Sequence, residues 1–363
     1  MSDNHRRYRS ISQTLQQMYP DASGHAARKL NTLAALISGI VGSQRTNYPK
    51  IAAKVPAAAK LESRVKRYSR WVNEQADPHQ VQVLPFAREL LAGLSSRTLV
   101  LVMDTSEVGR SCLALLVSVV YRQRTLPLAW LVVKGSHGHL SAQTHIAVLR
   151  EVQARLPEGA DVVFLGDGEF DRVELQRQLQ AYGWDYVCRT AINTILIVNG
   201  EEVSWSNLRL MPGDQFLLPD VQFTRQGLGP LQAIVWWRRE YQEPIFLITN
   251  LPLLEEACYW YRKRFRIETF FSDQKRRGFH LHKSHLAIPE RIARLMIAAC
   301  LAYIWVIYLG YRAKEDGYLP IIHRTDRCDL SLFQLGLRLL DYLLDHDEPI
   351  PVAFSLPLGG FVR

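Results

Sequence analysis

Cysteine is scarce in this chain, and its five cysteines are too far apart for a disulfide framework or a zinc ribbon. None of them belongs to a CxxC pair. Unpaired, reduced cysteines are typical of the cytoplasm. The first ten residues, MSDNHRRYRS, also lack the apolar segment of a secretory signal. We therefore expect a cytoplasmic protein.

Long hydrophobic runs are also scarce. One segment, residues 295–311 (LMIAACLAYIWVIYLGY), carries no charge and approaches the length of a membrane span. No second segment of this kind exists, and the polar PERIAR precedes it. We therefore predict a buried core helix here and no membrane partner. Internal repeats and low-complexity tracts are absent as well.

Charge is distributed unevenly along the 363 residues. Residues 1–97 contain 15 Lys or Arg and 6 Asp or Glu, which accounts for the whole net charge of +9. A basic segment in front of a neutral body indicates a polyanionic partner, with nucleic acid the first candidate and an anionic membrane surface the second. The length predicts two or three domains, and 48% hydrophobic residues predict a real core.

The basic segment, residues 1–97, has helical periodicity and is predicted to bind DNA. A helix predicted over residues 61–73 interleaves basic and aromatic side chains, a composition that suits a phosphate backbone. The alternative is an ordinary solvated helix face. The basic residues of this helix are Arg64, Lys66, Arg67 and Arg70, which lie near Tyr68 and Trp71.

The remaining sequence predicts an α/β fold. Residues 98–189 have the order β-β-β-α-β-α-β, in which three neighbouring strands precede the first helix, unlike a doubly wound fold. Residues 190–250 form a β-rich insertion with a hairpin turn at Asn199-Gly200. Residues 251–314 return to helices, predicted from Glu255 to Arg277 and from Pro289 to Leu309. Residues 315–363 form a tail with one amphipathic helix.

Two aspartates follow predicted strands. Asp104 ends the first strand, and Asp167 ends the strand VVFLGD. Carboxylates at the ends of neighbouring strands can point into one crevice, where Mg²⁺ or Mn²⁺ prefers oxygen ligands. Two such ions can activate a nucleophile and stabilise a leaving oxygen in phosphoryl transfer. Each aspartate alone could equally be a turn former or a helix cap.

The segment YRKRFRIETFFSDQK is a stronger signal. Tyr261, Arg264, Glu268 and Lys275 would lie within about 60° of one face of a helix. A carboxylate, an arginine and a lysine on one face make a poor core. They suit a site in which the carboxylate holds metal and the two cations hold phosphates.

These residues carry a resemblance to a known family. The spacing Y-x2-R-x3-E-x6-K resembles the signature of DDE transposases of bacterial insertion sequences, of the insertion-sequence-four type. The segments VMDTSEVG, LPLAW, LGDGEFD and GFHLHKSHL with PERIARL are also similar to that family, as is the helical leader text LNTLAALISGIVGSQ and KLESRVKRYSRWV. The similarity spans about residues 28–310 and leaves the C-terminal tail uncovered.

The resemblance implies an RNase H-like catalytic core, interrupted by the β-rich insertion, with the triad Asp104, Asp167 and Glu268 holding two Mg²⁺ or Mn²⁺ ions. It implies cut-and-paste transposition through a hairpin, on double-stranded DNA that carries terminal inverted repeats and on target DNA. Tyr261, Arg264 and Lys275 would then hold terminal phosphates and a displaced base. Joining two ends in concert predicts a homodimer on DNA, associated with the bacterial nucleoid.

Several other features permit two interpretations. Trp236 and Trp237, with Trp205 behind them, could receive a flipped base, although packing in a sandwich core is favoured. His280, His282 and His285 could bind zinc, but contact with backbone or phosphate is favoured. His137 and His139, in a Gly-rich turn, could lie near the active site.

Three other functions compete with an active transposase. They are a DNA-binding derivative that no longer cuts, a metal-dependent nuclease without strand transfer, and a glycoside hydrolase with two carboxylates. The glycoside hydrolase is the weakest of the three, because its pair of carboxylates would not need a basic helix.

Overall fold

The computed structural model describes residues 1–74, 80–135, 140–324 and 327–357. Within these ranges eleven strands form one mixed sheet, in the order β1-β4-β3-β2-β5-β6-β11-β10-β9-β7-β8. The chain is therefore a mixed α/β protein. The sheet begins with a short edge strand, β1 (Gln82–Val83), which pairs with β4.

Three long antiparallel strands make up the first half of the sheet: β2 (Leu99–Gly109), β3 (Cys112–Tyr121) and β4 (Arg124–Lys134). Left-handed residues at both hairpins, Ser111 and Arg122, reverse the chain. Nearly all side chains of β3 and β4 are buried. Because antiparallel sheets usually leave one face in water, this burial means that helices cover both faces here.

Two crossovers then add parallel strands. Helix α6 (Ala142–Gln153) precedes β5, and α7 (Val173–Ala181) precedes β6 (Asp185–Arg189). Strand β5 (Val162–Gly166) is parallel to both β2 and β6. The order β-β-β-α-β-α-β expected from the sequence is thus the observed order.

The segment 190–250 is rich in strands, as its sequence indicates. Its last strand, β11 (Ile245–Thr249), pairs antiparallel with β6, so this segment extends the same sheet. The other strands continue outward from β11. They are β7 (Ile195–Val198), β8 (Glu201–Ser204), β9 (Gln215–Phe223) and β10 (Leu228–Trp236).

Helices from both ends of the chain pack around α10, which contacts the sheet at β4 and β1. The leader contributes α1 (Asp3–Met18), α2 (Gly24–Ser43), α3 (Tyr48–Ala53), α4 (Leu61–Asn73) and α5 (Ala87–Ala92). The second half contributes α8 (Leu254–Tyr261), α9 (Arg266–Gln274), α10 (Pro289–Glu315), α11 (Leu319–Ile322) and α12 (Leu332–Asp345).

Helix α10 lies at the centre of this helical layer. By length and composition it could cross a membrane, yet 83% of its most apolar window is buried inside the protein. It packs on β4, α2, α4 and α12. The Nε1 of Trp130, on β4, donates to the carbonyl of Ala293 on α10 at 3.0 Å. The segment is the core helix that its polar start predicts.

Helices α10 and α12 cross so closely that glycine is required on both. A Cβ added at Gly310 would lie 1.9 Å from the carbonyl oxygen of Leu332. One added at Gly336 would lie 1.9 Å from that of Val306. Since backbone atoms cannot yield as side chains do, these glycines fix the separation of the two helices.

We expect Gly336→Ala to destabilise the protein by about 1–3 kcal/mol through this clash. In an open helix the same change would stabilise by about 0.5–1 kcal/mol, because alanine has the better helix propensity. The sign of the change, measured by urea unfolding, therefore tests the close crossing. A more stable variant would contradict it.

Candidate active site

Asp104 and Asp167 come from neighbouring strands. The parallel pairing of β2 with β5 runs as far as Val102 and Leu165, and Asp167 directly follows β5. Asp104 was expected at a strand end, but it lies in the middle of β2. The reason is that β2 continues beside β3 after its pairing with β5 has stopped. Both carboxylates therefore lie where β2 becomes an edge on its β5 side.

The segment that carries Glu268 differs from the expected single helix. It forms α8 and α9, joined by a tight turn over residues 262–265. Backbone bonds of the i to i+3 type fill this break, among them Arg264 to Tyr261 at 2.9 Å and Glu268 to Phe265 at 3.1 Å. Lys275 directly follows α9. The four signature residues thus come from two helices and their junctions.

The Arg264 guanidinium contacts all three carboxylates. Its Nη2 donates to Oε1 of Glu268 at 3.1 Å. Its Nη1 lies 3.6 Å from Oδ2 of Asp167 and 4.0 Å from Oδ2 of Asp104. The arginine side chain is only 17% exposed. The structure therefore brings together the three predicted acids around one positive charge.

The electrostatics of Asp104 show why a cation belongs there. Burial, and after it the neighbouring Asp167, raise the pKa of its carboxyl to about 7, although Arg264 acts in the opposite direction. The backbone N–H of Thr105 donates to its Oδ1 at 2.7 Å. Like-charged carboxylates that share a partly buried site stay ionised only beside positive charge.

Tyr261 and Lys275 flank the carboxylates. Tyr261 is 7% exposed, and burial raises the pKa of its phenol to about 12, so the hydroxyl keeps its proton. The Nζ of Lys275 donates to Oγ of Ser106 at 2.7 Å, two residues beyond Asp104. Burial lowers the pKa of this amine from its usual value. The amine is thus attached to the strand that carries Asp104.

The donor set suits a hard divalent cation. Three carboxylates from three elements supply the oxygen ligands that Mg²⁺ and Mn²⁺ prefer, and a guanidinium already offsets part of their charge. In the part of the chain that the structure describes, no three metal-ligating side chains already form a group that could hold a metal. Because Arg264 lies between the acids, it must move before they can share an ion.

Glu169 and His145 hold the loop after Asp167, and the sequence analysis missed both roles. The backbone N–H of Glu169 donates to Oδ1 of Asp167 at 3.0 Å. Its own carboxylate accepts from the N–H of Leu140 at 3.2 Å and lies 3.5 Å from Nε2 of the fully buried His145. Burial opposes the ionised form of Glu169, but these bonds prevail and lower its pKa. The motif LGDGEFD contained Glu169, whereas His145 gave no signal.

The leader's basic residues divide into two groups. Arg64 was expected to bind DNA, but its Nη1 donates to the carbonyls of Ala52 and Val55, so it closes the end of α3 instead. Arg67 is half-buried beside Tyr68. Lys66 and Arg70 are exposed on α4 and remain candidates for phosphate contact.

The tryptophans are mostly core residues. Trp236 is 3% exposed and packs edge-on against Tyr241, so its ring offers no surface for a base, contrary to the expectation that it could receive one. Trp205 is buried against Phe246. Trp237 is half-buried, and its Nε1 donates to the carbonyl of Tyr241 at 3.0 Å. His137 and His139 lie outside the described residues.

A partly buried cluster of three carboxylates and an arginine at a sheet edge is an arrangement suited to phosphate chemistry. A family model described as "Transposase DDE domain" matches residues 103–305, which is more than half of the chain. The chain therefore belongs to the transposase DDE domain family. The matched range includes Asp104, Asp167 and the whole segment from Tyr261 to Lys275.

Comparisons with other proteins add little to this family match. No curated protein matches the sequence. A piggyBac transposase synaptic complex with hairpin DNA matches with 13% identity and a TM-score of 0.43, over 68% of this chain and 52% of that one. Human ENDOV matches with 14% identity and a TM-score of 0.28, over 64% of this chain and 95% of that one. The chain thus spans about half the length of that transposase.

The raised pKa of Asp104 predicts how Asp104→Asn will change stability in metal-free buffer. A carboxyl whose pKa is about 7 when folded contributes stability below its unfolded pKa, and that stability is lost as pH rises through about 7. The asparagine does not titrate. The free energy of unfolding of the variant, relative to that of the wild type, should therefore increase by about 2–4 kcal/mol between about pH 4 and about pH 8. Urea unfolding in EDTA measures this difference, and a difference independent of pH would contradict the assignment.

Proposed function

We propose that the chain is a cut-and-paste DNA transposase that cleaves the ends of a mobile element and joins them to target DNA. The observation that carries this proposal is the contact of one guanidinium with Asp104, Asp167 and Glu268. Membership of the transposase DDE domain family supports it. We propose an RNase H-like core of residues 98–189 and 251–314, with residues 190–250 inserted. Residues 1–97 would bind DNA, and residues 315–363 would form the helical tail.

In this proposal Asp104, Asp167 and Glu268 hold two Mg²⁺ or Mn²⁺ ions. Bound there, the ions would make water or a 3′-hydroxyl more nucleophilic and would stabilise the leaving oxygen. The fold contributes the positions of the ligands. Two come from paired strands, and the third is held by the turn between α8 and α9.

Arg264 exchanges partners in the proposed cycle. In the free protein its guanidinium lies 3.1–4.0 Å from the three carboxylates and offsets part of their charge. A DNA phosphate offers the same guanidinium a two-point partner outside the acidic cluster. Movement of Arg264 to the phosphate would uncover the three carboxylates at the moment when DNA is bound. Loading of metal and binding of substrate are thereby coupled.

Tyr261 and Lys275 would position the DNA. The protonated phenol of Tyr261 can donate a hydrogen bond to a phosphate oxygen, and the Lys275 amine, beside Ser106, adds positive charge. If the reaction passes through a hairpin, a base must leave the stack, and of Trp236 and Trp237 it is Trp237 that has surface left to receive it. A groove of about 570 Å³ connects the loop after Asp167 with the β-rich segment near Thr194 and Phe223.

Double-stranded DNA is the proposed partner, both as terminal inverted repeats and as target. Exposed Lys66 and Arg70 on α4 supply charge for its backbone. Two ends must be joined in concert, so we propose a homodimer on DNA, acting in the bacterial cytoplasm at the nucleoid.

Glu268→Gln should abolish cleavage and joining while DNA binding persists, because the amide keeps its size but loses its charge. We expect a rate lower by about a thousandfold or more. The assay uses linear DNA with the element's terminal repeats and Mg²⁺ or Mn²⁺, and follows cleaved ends, hairpins and joined products.

Glu255→Gln is the matched control, since Glu255 is exposed on α8 and should cut normally. Cutting by Glu268→Gln at the wild-type rate would refute the site. Nicking without joining by the wild type would instead identify a nuclease, and binding without any product a non-catalytic derivative.

Arg264→Gln should increase Mn²⁺ affinity in the absence of DNA by about tenfold, because the acids lose their internal cation. Free Mn²⁺ measured by electron paramagnetic resonance gives the affinity without any need for activity. Arg262→Gln, an exposed change of the same charge in the same turn, is the control. If the two variants bind Mn²⁺ alike, Arg264 does not compete with metal.

A further inference from the structure

A histidine-containing loop follows α9 and contributes no residue to the proposed catalytic triad. Its side chains alternate: Phe279 and Leu281 are buried, whereas the rings of His280 and His282 are half-buried and lie 5.8 Å apart. The backbone is left-handed at His280 and a short 3₁₀ turn follows. The two rings are thus held side by side by the burial of their neighbours.

The loop joins the active site to the leader. The N–H of His280 donates to the carbonyl of Lys275 at 3.0 Å, and Lys275 in turn contacts Ser106 beside Asp104. On the other side, Oγ1 of the buried Thr46 donates to the carbonyl of His280 at 3.2 Å. The exposed Arg45 precedes Thr46, directly after the left-handed end of α2. Basic residues from two distant segments therefore border one loop.

Positive charge dominates the surroundings of both rings. Arg45 and Lys283 act on His280, and Lys275, Arg276 and Lys283 act on His282. The carboxylate that acts on these rings, among the groups the structure describes, is Glu107, which faces His282. Nδ1 of each ring is buried and has no hydrogen-bond partner within the described ranges, so Nε2 is the ring nitrogen that can meet an external ligand. A clustered set of cations with so little acidic compensation suits an external polyanion.

We propose that Arg45 and the segment from Lys275 to Lys283 form a phosphate-binding surface that carries the DNA backbone from the catalytic carboxylates to the leader. We call it the histidine-loop surface. It rests on the proposed function, since DNA is its ligand. Arg45, Arg276 and Lys283 provide permanent charge, and His280 and His282 provide donors at its centre.

The two histidines make this surface sensitive to pH. Burial first, and then the neighbouring cations, lower the pKa of both rings in the free protein, so both are neutral at physiological pH. A bound phosphate favours the protonated ring and raises these pKa values. Binding should then take up protons and tighten as pH falls from about 8 to about 6. Arginine and lysine contacts alone would not vary over this range.

The test is DNA binding measured as a function of salt and pH, with the full chain, EDTA and a duplex that carries the terminal repeat. Arg45→Gln and Lys283→Gln should each reduce the slope of log Kd against log salt by about 1. Wild-type affinity should rise about threefold to tenfold per pH unit on acidification. The double variant His280→Gln/His282→Gln should lose most of that rise and most of the proton uptake that calorimetry detects in two buffers, the remainder coming from Asp104, whose pKa of about 7 lies in the same range.

Arg177→Gln is the matched control, because Arg177 is exposed on α7, which packs on α6 and β6. Melting temperatures confirm that each variant is folded. If the variants of the histidine-loop surface keep the wild-type salt slope and pH dependence, this proposal is overturned, whereas the proposed transposase function is unaffected. If the wild type binds no duplex at low salt, the proposed function and this surface fail together.

Discussion

The contact between the Arg264 guanidinium and three carboxylates is the constraint on which the rest of the site depends. Three acids in one partly buried place repel each other, and burial together with the neighbouring Asp167 raises the pKa of Asp104 to about 7. One guanidinium within 3.1–4.0 Å of all three relieves this repulsion in the free protein. The fold can therefore assemble a strongly acidic cluster before any metal or DNA is bound.

The surrounding elements serve to hold this cluster in place. Parallel pairing of β2 with β5 aligns two of the acids, and the broken helix α8–α9 presents Arg264 and Glu268 from one turn. His145 and Glu169 support the loop behind Asp167. The central helix α10, fixed against α12 by close-packed glycines, gives this arrangement a rigid base.

Strong local patterns were predictable from the sequence. The alternation of strands and helices in residues 98–189 and the apolar core helix are both observed in the structure. Long-range pairing was less accessible. Asp104 lies within β2 because β2 continues to pair with β3 after its pairing with β5 has ended. No local sequence pattern indicates where the pairing with a neighbouring strand ends.

Side-chain partners were the least predictable part. Arg64 resembles a phosphate ligand in the sequence, but two carbonyls at the end of α3 occupy its guanidinium. Trp236 was left with two interpretations, and its burial against Tyr241 selects the core position that was favoured. The break between α8 and α9 was missed because helical spacing continues across it in the sequence. Each error arises where tertiary contacts override a local pattern.

Fe²⁺-directed cleavage of the polypeptide tests the central claim most directly, because Fe²⁺ can replace Mg²⁺ or Mn²⁺ at oxygen ligands and generates radicals that cut nearby backbone. In the DNA-bound protein with ascorbate, we predict cuts confined to three segments, around Asp104, Asp167 and Glu268, and suppressed by excess Mg²⁺. Cuts centred elsewhere, for example on His280–His285, would contradict a metal site formed by these three acids.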